Sequence, residues 1–263
     1  MAIAIAEPEI NPTIRREEKT MADKKEITLL DIVPVTAPGI LRDLMIRDME
    51  KYLMPTTKTR HVQVTEGPVT IESEYEDAFA APQVVKTAAE EYNKGDVDAV
   101  FVNCFGDPGV RAAREAFEIP VFGGFEPAIH IALGLGDRIG IVTVLKNVVP
   151  MIRGAVNRAG LEKRVTTIRT LNIPVLELEN AELLMNSLYA ECKKAIEEDG
   201  VEVLVMGCTG IVGIDDAMKS KLLADGYDVP VLEAGVCAMT MAELYVRMGL
   251  KPSRLTYMKP REK

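Results

Sequence analysis

Along most of the chain, short apolar runs alternate with longer segments whose apolar residues recur at helical spacing. The runs at residues 27–33, 97–102, 119–122, 138–144, 201–206 and 229–232 are rich in β-branched residues and bounded by Gly, Pro, Asn or Asp. That pattern predicts strands buried on both faces. Residues 59–65 and 164–170 are more polar and also predict strands. Helical spacing covers residues 41–52, 78–92, 110–117, 148–159, 181–198 and 236–248, with one more helix after Cys208 and one carrying Glu126 and His130. Strict alternation predicts an α/β fold of mostly parallel sheets flanked by helices.

The pattern also repeats. "VDAVFVNCFG" (97–106) and "VEVLVMGCTG" (201–210) align without a gap, and downstream "EIPVF" (118–122) matches "DVPVL" (228–232). Two related halves predict two lobes related by a pseudo-two-fold axis, and 263 residues suffice for both cores. The expected division is a mobile N-terminal arm over 1–25, a first lobe over 26–136, and a second over 137–234, with 235–263 packing back on the first. The arm has mixed charge, two prolines and no periodicity. Each half ends a buried strand in a thiol, Cys104 or Cys208. The carboxyl edge of a parallel sheet is where ligands bind, and a following helix N-terminus offers N–H donors and a potential that lowers a thiol pKa. Asp107-Pro108 reads as such a start, with Asp107 as the N-cap. Free cysteines are often plain core residues, and Cys192 and Cys237 read that way. Equivalent positions in a repeat favour a paired role for the other two, facing one cleft between the lobes.

Composition narrows the function classes. A net charge of −9 and a sequence pI near 5.0 argue against a nucleic-acid partner. Four cysteines without a CxxC, and two histidines, His61 and His130, give no metal-ligand spacing and no disulfide framework. No apolar stretch is long enough to span a membrane, and the N-terminus lacks the pattern of a signal peptide. A cytoplasmic protein acting on a small molecule is expected, without metal, nucleic acid or membrane. "GLGDRIG" (134–140) resembles a dinucleotide loop but follows a helix and precedes a strand, the reverse of the order such a loop requires.

Four segments carry a family resemblance: "GPVTIESEYEDAFAAP" (67–82), "NCFGDPGVRAARE" (103–115), "IPVFGGFEPAIHIALGLGDRIGIVT" (119–143) and "VMGCTG" (205–210). Together they resemble the Asp/Glu/hydantoin racemase family, and within it the hydantoin/allantoin racemase branch. The resemblance implies a cofactor-independent racemase that assembles as a homo-oligomer, with Cys104 and Cys208 facing each other across the substrate. Two thiols suit this chemistry: one removes a proton from one face of a carbon acid while the other returns one to the opposite face. Backbone N–H groups of the Phe105-Gly106 and Thr209-Gly210 loops are candidate donors to the developing enolate. Glycine at 106 and 210 lets substrate approach the main chain. Amino-acid racemases of this family typically place Asn-Thr after the first cysteine to hold a carboxylate; Phe105-Gly106 here offer an apolar wall and suit a hydantoin-like ring. The family's Asn-Pro-Asn-Thr-like loop reads Val33-Pro34-Val35-Thr36, which widens the expected substrates to other cyclic or weakly polar carbon acids. Thr36, Glu72, Ser73 and Thr209 complete the candidate substrate-binding set. The alternatives are an Asp/Glu-type racemase, a maleate-type cis–trans isomerase, or a non-enzymatic ligand-binding or redox-sensing protein on the same scaffold.

Overall fold

The computed structural model describes residues 26–40 and 43–261; the arm expected over 1–25 lies outside them, as do Leu41 and Arg42 of the first predicted helix. The first half of the chain runs β1 (Ile27–Val33), α1 (Asp43–Glu50), β2 (Thr57–Gln63), α2 (Glu74–Tyr92), β3 (Ala99–Val102), α3 (Val110–Ala116), β4 (Val121–Phe122) and α4 (Phe125–Ala132). The second runs β5 (Ile139–Thr143), α5 (Val149–Arg158), β6 (Val165–Thr170), α6 (Ala181–Asp199), β7 (Val203–Met206), α7 (Asp215–Ala224), β8 (Val231–Glu233) and α8 (Ala234–Arg247).

These strands form two parallel four-stranded sheets, ordered β2-β1-β3-β4 and β6-β5-β7-β8. The repeat read from the sequence is therefore a repeat in space, down to register. Leu29 pairs with Ala99 as Ile139 pairs with Val203, and Val100 pairs with Val121 as Leu204 pairs with Val231. Central strands β3 and β7 are buried along their whole length, whereas edge strand β2 (TKTRHVQ) is only part-buried, which is why it carries charge.

Each sheet lends its last helix to the other. Helix α8 places Ala238, Met239, Ala242 and Val246 in a core with Met49, Ala99 and Phe101 of the first half. Helix α4, which follows the first sheet, places Phe125, Ala128, Ile129 and Ala132 in the core of the second, with Ile139, Ile141 and Val205. The carboxyl ends of β3 and β7 also meet, the loop after β7 bonding to the loop after β3 through Thr209 and Asn103.

Helix α2 begins at Glu74, before the predicted residue 78, because a capping box starts it. Ser73 Oγ accepts from the Glu76 N–H, and Glu76 Oε2 accepts from Ser73 Oγ at 3.0 Å and from the Glu72 N–H at 2.6 Å. Asp107 is not the N-cap of α3, which is preceded by Gly109 at φ 72°, while Asp107 itself takes φ 60°. Nor does a helix directly follow Cys208, since α7 starts only at Asp215.

Candidate active site

Both cysteines stand just past a buried parallel strand, in a turn tight enough for the sulfur to meet its own backbone. The Gly106 N–H donates to Cys104 Sγ at 3.4 Å, and the Gly210 N–H donates to Cys208 Sγ at 3.4 Å. These two N–H groups, expected to serve a developing enolate, are directed at the sulfurs. The loops touch each other, Thr209 Oγ1 donating to the Asn103 carbonyl at 3.1 Å, and the β4–α4 turn lies against the first of them, its Gly124 N–H donating to the Cys104 carbonyl at 2.9 Å. A Cβ on Gly124 would sit 3.0 Å from Thr209 Cγ2, so the approach is close on that side too. Cys104 feels the charge of Cys208, which places both sulfurs in one electrostatic neighbourhood. Cys192 and Cys237 are buried in the cores.

The helix N-termini do not lower the thiol pKa values as the sequence suggested. Burial pushes Cys208 up to about 11, against the lowering effect of the Gly210 and Ile211 N–H groups. Burial pushes Cys104 well above the ordinary thiol value, aided by Asp77, Cys208 and Asp107 and opposed by the Gly106 N–H. Desolvation of the thiolate outweighs a few oriented dipoles. At neutral pH both cysteines are therefore thiols.

The remaining predicted residues divide by where their polar atoms go. Glu72 reaches across the halves: its Oε1 accepts from the Val175 N–H at 2.6 Å, and its charge acts on Cys208. Thr36 Oγ1 donates to the Pro68 carbonyl at 3.1 Å, closing the β1–α1 loop onto the loop before α2. Ser73 is committed to capping α2 and Thr209 to joining the two cysteine loops. The Phe105 ring, expected as an apolar wall for substrate, is turned into the second core, edge-on to Phe125 at 5.6 Å. Glu126 pairs with Arg114 at 2.5 Å.

Two carboxylates beside Cys104 went unrecognised as site groups. Asp107 is half-buried, its Oδ1 accepting from the Phe125 N–H at 3.1 Å, and loss of solvent around the carboxyl raises its pKa to about 7. Asp77 lies behind Gly106: a Cβ there would be 2.8 Å from Asp77 Oδ1 and 2.9 Å from Met151 Cε. Sequence offered a signal for Asp107, in the Asp-Pro-Gly turn, but none for Asp77, which reads as one acidic residue among several in a helix's first turn.

Known proteins place this arrangement. The family model described as Asp/Glu/Hydantoin racemase matches residues 44–242. A hydantoin racemase from Pseudomonas sp. (strain NS671) is 38% identical over 202 residues, covering 75% of this chain and 78% of that protein. A hydantoin racemase from Rhizobium meliloti is 31% identical over 231 residues, covering 86% and 93%. Among solved structures, the allantoin racemase from Klebsiella pneumoniae superposes with a TM-score of 0.84 at 28% identity, over 90% of this chain and 95% of that one. The chain therefore belongs to the Asp/Glu/hydantoin racemase family, and its activity is that of a racemase.

Proposed function

We propose that the chain racemises 5-substituted hydantoins, or a related cyclic or weakly polar carbon acid, by proton transfer between Cys104 and Cys208 without a cofactor, as a cytoplasmic homo-oligomer. The observation that carries this reading is the direct junction of the two cysteine loops through Thr209 and Asn103, with each sulfur receiving an N–H from the residue two positions on. One cysteine, as thiolate, takes the proton from the ring carbon. The C–H electron pair then delocalises into the adjacent carbonyl. The other cysteine, as thiol, gives its proton to the opposite face, and the pair has exchanged protonation states. The Gly106 and Gly210 N–H groups stabilise whichever sulfur carries charge. High thiol pKa values give a strong base once a thiolate forms, at the cost of a small thiolate fraction.

Charge around the sulfurs supports a neutral substrate. Asp77 and Asp107 act on Cys104 and Glu72 acts on Cys208, all disfavouring added negative charge. A hydantoin ring brings none, whereas aspartate, glutamate or maleate bring carboxylates that these groups would repel. The relatives' names agree, since they act on hydantoin or allantoin. The test is polarimetry on enantiopure 5-substituted hydantoins, allantoin, aspartate and glutamate, with maleate followed separately for isomerisation. Loss of rotation with the ring compounds alone supports the reading. Turnover confined to the amino acids or maleate would overturn it.

A further inference from the structure

The two thiol loops are built alike, but the carboxylates behind them are not. Asp77 sits in the first turn of α2, its N–H donating to the Ser73 carbonyl at 3.1 Å. Its side chain rises against the turn that carries Cys104. Because residue 106 is glycine, the Asp77 carboxylate and Met151 close on the space a Cβ would fill. The same Gly106 donates its N–H to Cys104 Sγ. Asp77 Oδ1 is buried and has no hydrogen-bond partner. A carboxyl group is costly to bury in that state, and neither the fold nor the proton-transfer steps above use it. Behind Cys208 the arrangement differs. Glu72 approaches from the loop before α2, and its Oε1 is engaged by the Val175 N–H.

Resting on the two-thiol reading, we propose that Asp77 is a positioning residue that makes the pair unequal: its carboxylate opposes charge on Cys104 and keeps the proton there, leaving Cys208 the more readily ionised of the two thiols. The charged and titratable groups acting on Cys104 are Asp77 from α2, Cys208 from the loop after β7, and Asp107 from its own turn. Asp77 in turn faces Arg158 at the end of α5 and Glu74 on its own helix. Burial raises Asp77 to about 6, so its carboxylate is mostly charged at neutral pH. The free enzyme is then poised for the enantiomer whose proton faces Cys208. The two hands have equal free energy, so kcat/KM is the same in both directions, and the inequality falls on kcat and KM separately.

The test reads each sulfur by itself, without substrate. Iodoacetamide alkylation is followed by mass spectrometry across pH, at Cys104 in a C208S background and at Cys208 in a C104S background. Adding D77N or D77S should lower the alkylation midpoint of Cys104 by about one pH unit, which makes the rate about tenfold faster at a fixed pH below it. The Cys208 midpoint should move by less than half as much. The control E74Q, on the same helix turn, should leave Cys104 near its starting midpoint. A Cys104 midpoint unmoved in both folded Asp77 variants, or equal shifts at the two sulfurs, would overturn the proposal. Neither result depends on racemisation, so the two-thiol reading fails separately, through turnover that survives loss of either cysteine.

Discussion

Asp107 holds an unusual backbone, φ 60° in a non-glycine residue, and its carboxyl fills the space where Gly123 lacks a side chain. There it caps α4 through the Phe125 N–H. Its pKa is raised by burial from 3.8 to about 7. Between those values the folded chain keeps a proton that the unfolded chain has released, so this group's stabilisation is complete below about pH 4 and is lost as pH rises through about 7. Asp107→Asn stays neutral and still offers an acceptor to Phe125. Urea denaturation should therefore show a shallower loss of stability for the variant from pH 4 to pH 7, by about 1–3 kcal/mol; equal slopes would mean Asp107 titrates normally. At the neighbouring position, Gly123→Ala would put a Cβ 2.0 Å from Asp107 Oδ1. Displacing that carboxyl should cost about 1–3 kcal/mol in the same assay. The need for glycine at 123 is not visible in the sequence, because the group that fills the space lies in another loop.

Helices α4 and α8 show what periodicity does and does not reveal. Their spacing announces one buried face each, yet nothing in a 3.6-residue repeat says which sheet that face meets. The Ser73-x-x-Glu76 spacing stands in the sequence, but the helical pattern alone starts the helix at 78; the capping box formed there accounts for the start of α2 at Glu74. By contrast, the N–H groups that open α7 are satisfied from afar: Glu233 accepts from Ile214 at 2.9 Å and Asp215 at 3.0 Å. Burial and the hydrogen bond with Asp48 raise the Glu233 pKa, while that same hydrogen bond, and after it the Gly213 N–H, hold Asp48 low against its own burial, as expected of two carboxyls sharing one proton. The seat of α8 depends on Met49 of α1, which is fully buried and lies 3.1 Å from the place of a Gly235 Cβ. Met49→Ala should destabilise by about 2–5 kcal/mol by opening a cavity beneath the helix, measured by denaturant titration. A cost below about 1 kcal/mol would mean α8 does not rely on it.

At the scale of the whole molecule, the halves are joined by more than the chain between them. Lys51, in the turn just after α1, reaches Asp215 of α7 at 3.1 Å, Glu72 reaches Val175, and the two last helices are exchanged. Such ties predict one cooperative unfolding transition: Met49→Ala in the first half and Leu188→Ala in the second should each lower the same single melting temperature, with circular dichroism and calorimetry coincident. Two separable transitions would show that the halves fold independently. The duplicated strand-Cys-x-Gly stretch made this architecture readable, because both copies keep their apolar runs and their turns. The surroundings of the sulfurs were less readable. Phe105, Thr209 and Asp77 acquire their places from contacts between loops and helices far apart in sequence. The central claim remains that both sulfurs move protons on one substrate. The decisive measurement is racemisation of an enantiopure 5-substituted hydantoin in D2O by the wild type, C104S and C208S, corrected for spontaneous exchange. The account predicts that the wild type incorporates deuterium at the stereocentre as rotation is lost, and that each variant racemises at least a hundredfold more slowly while remaining folded. Racemisation near the wild-type rate in either variant would contradict it.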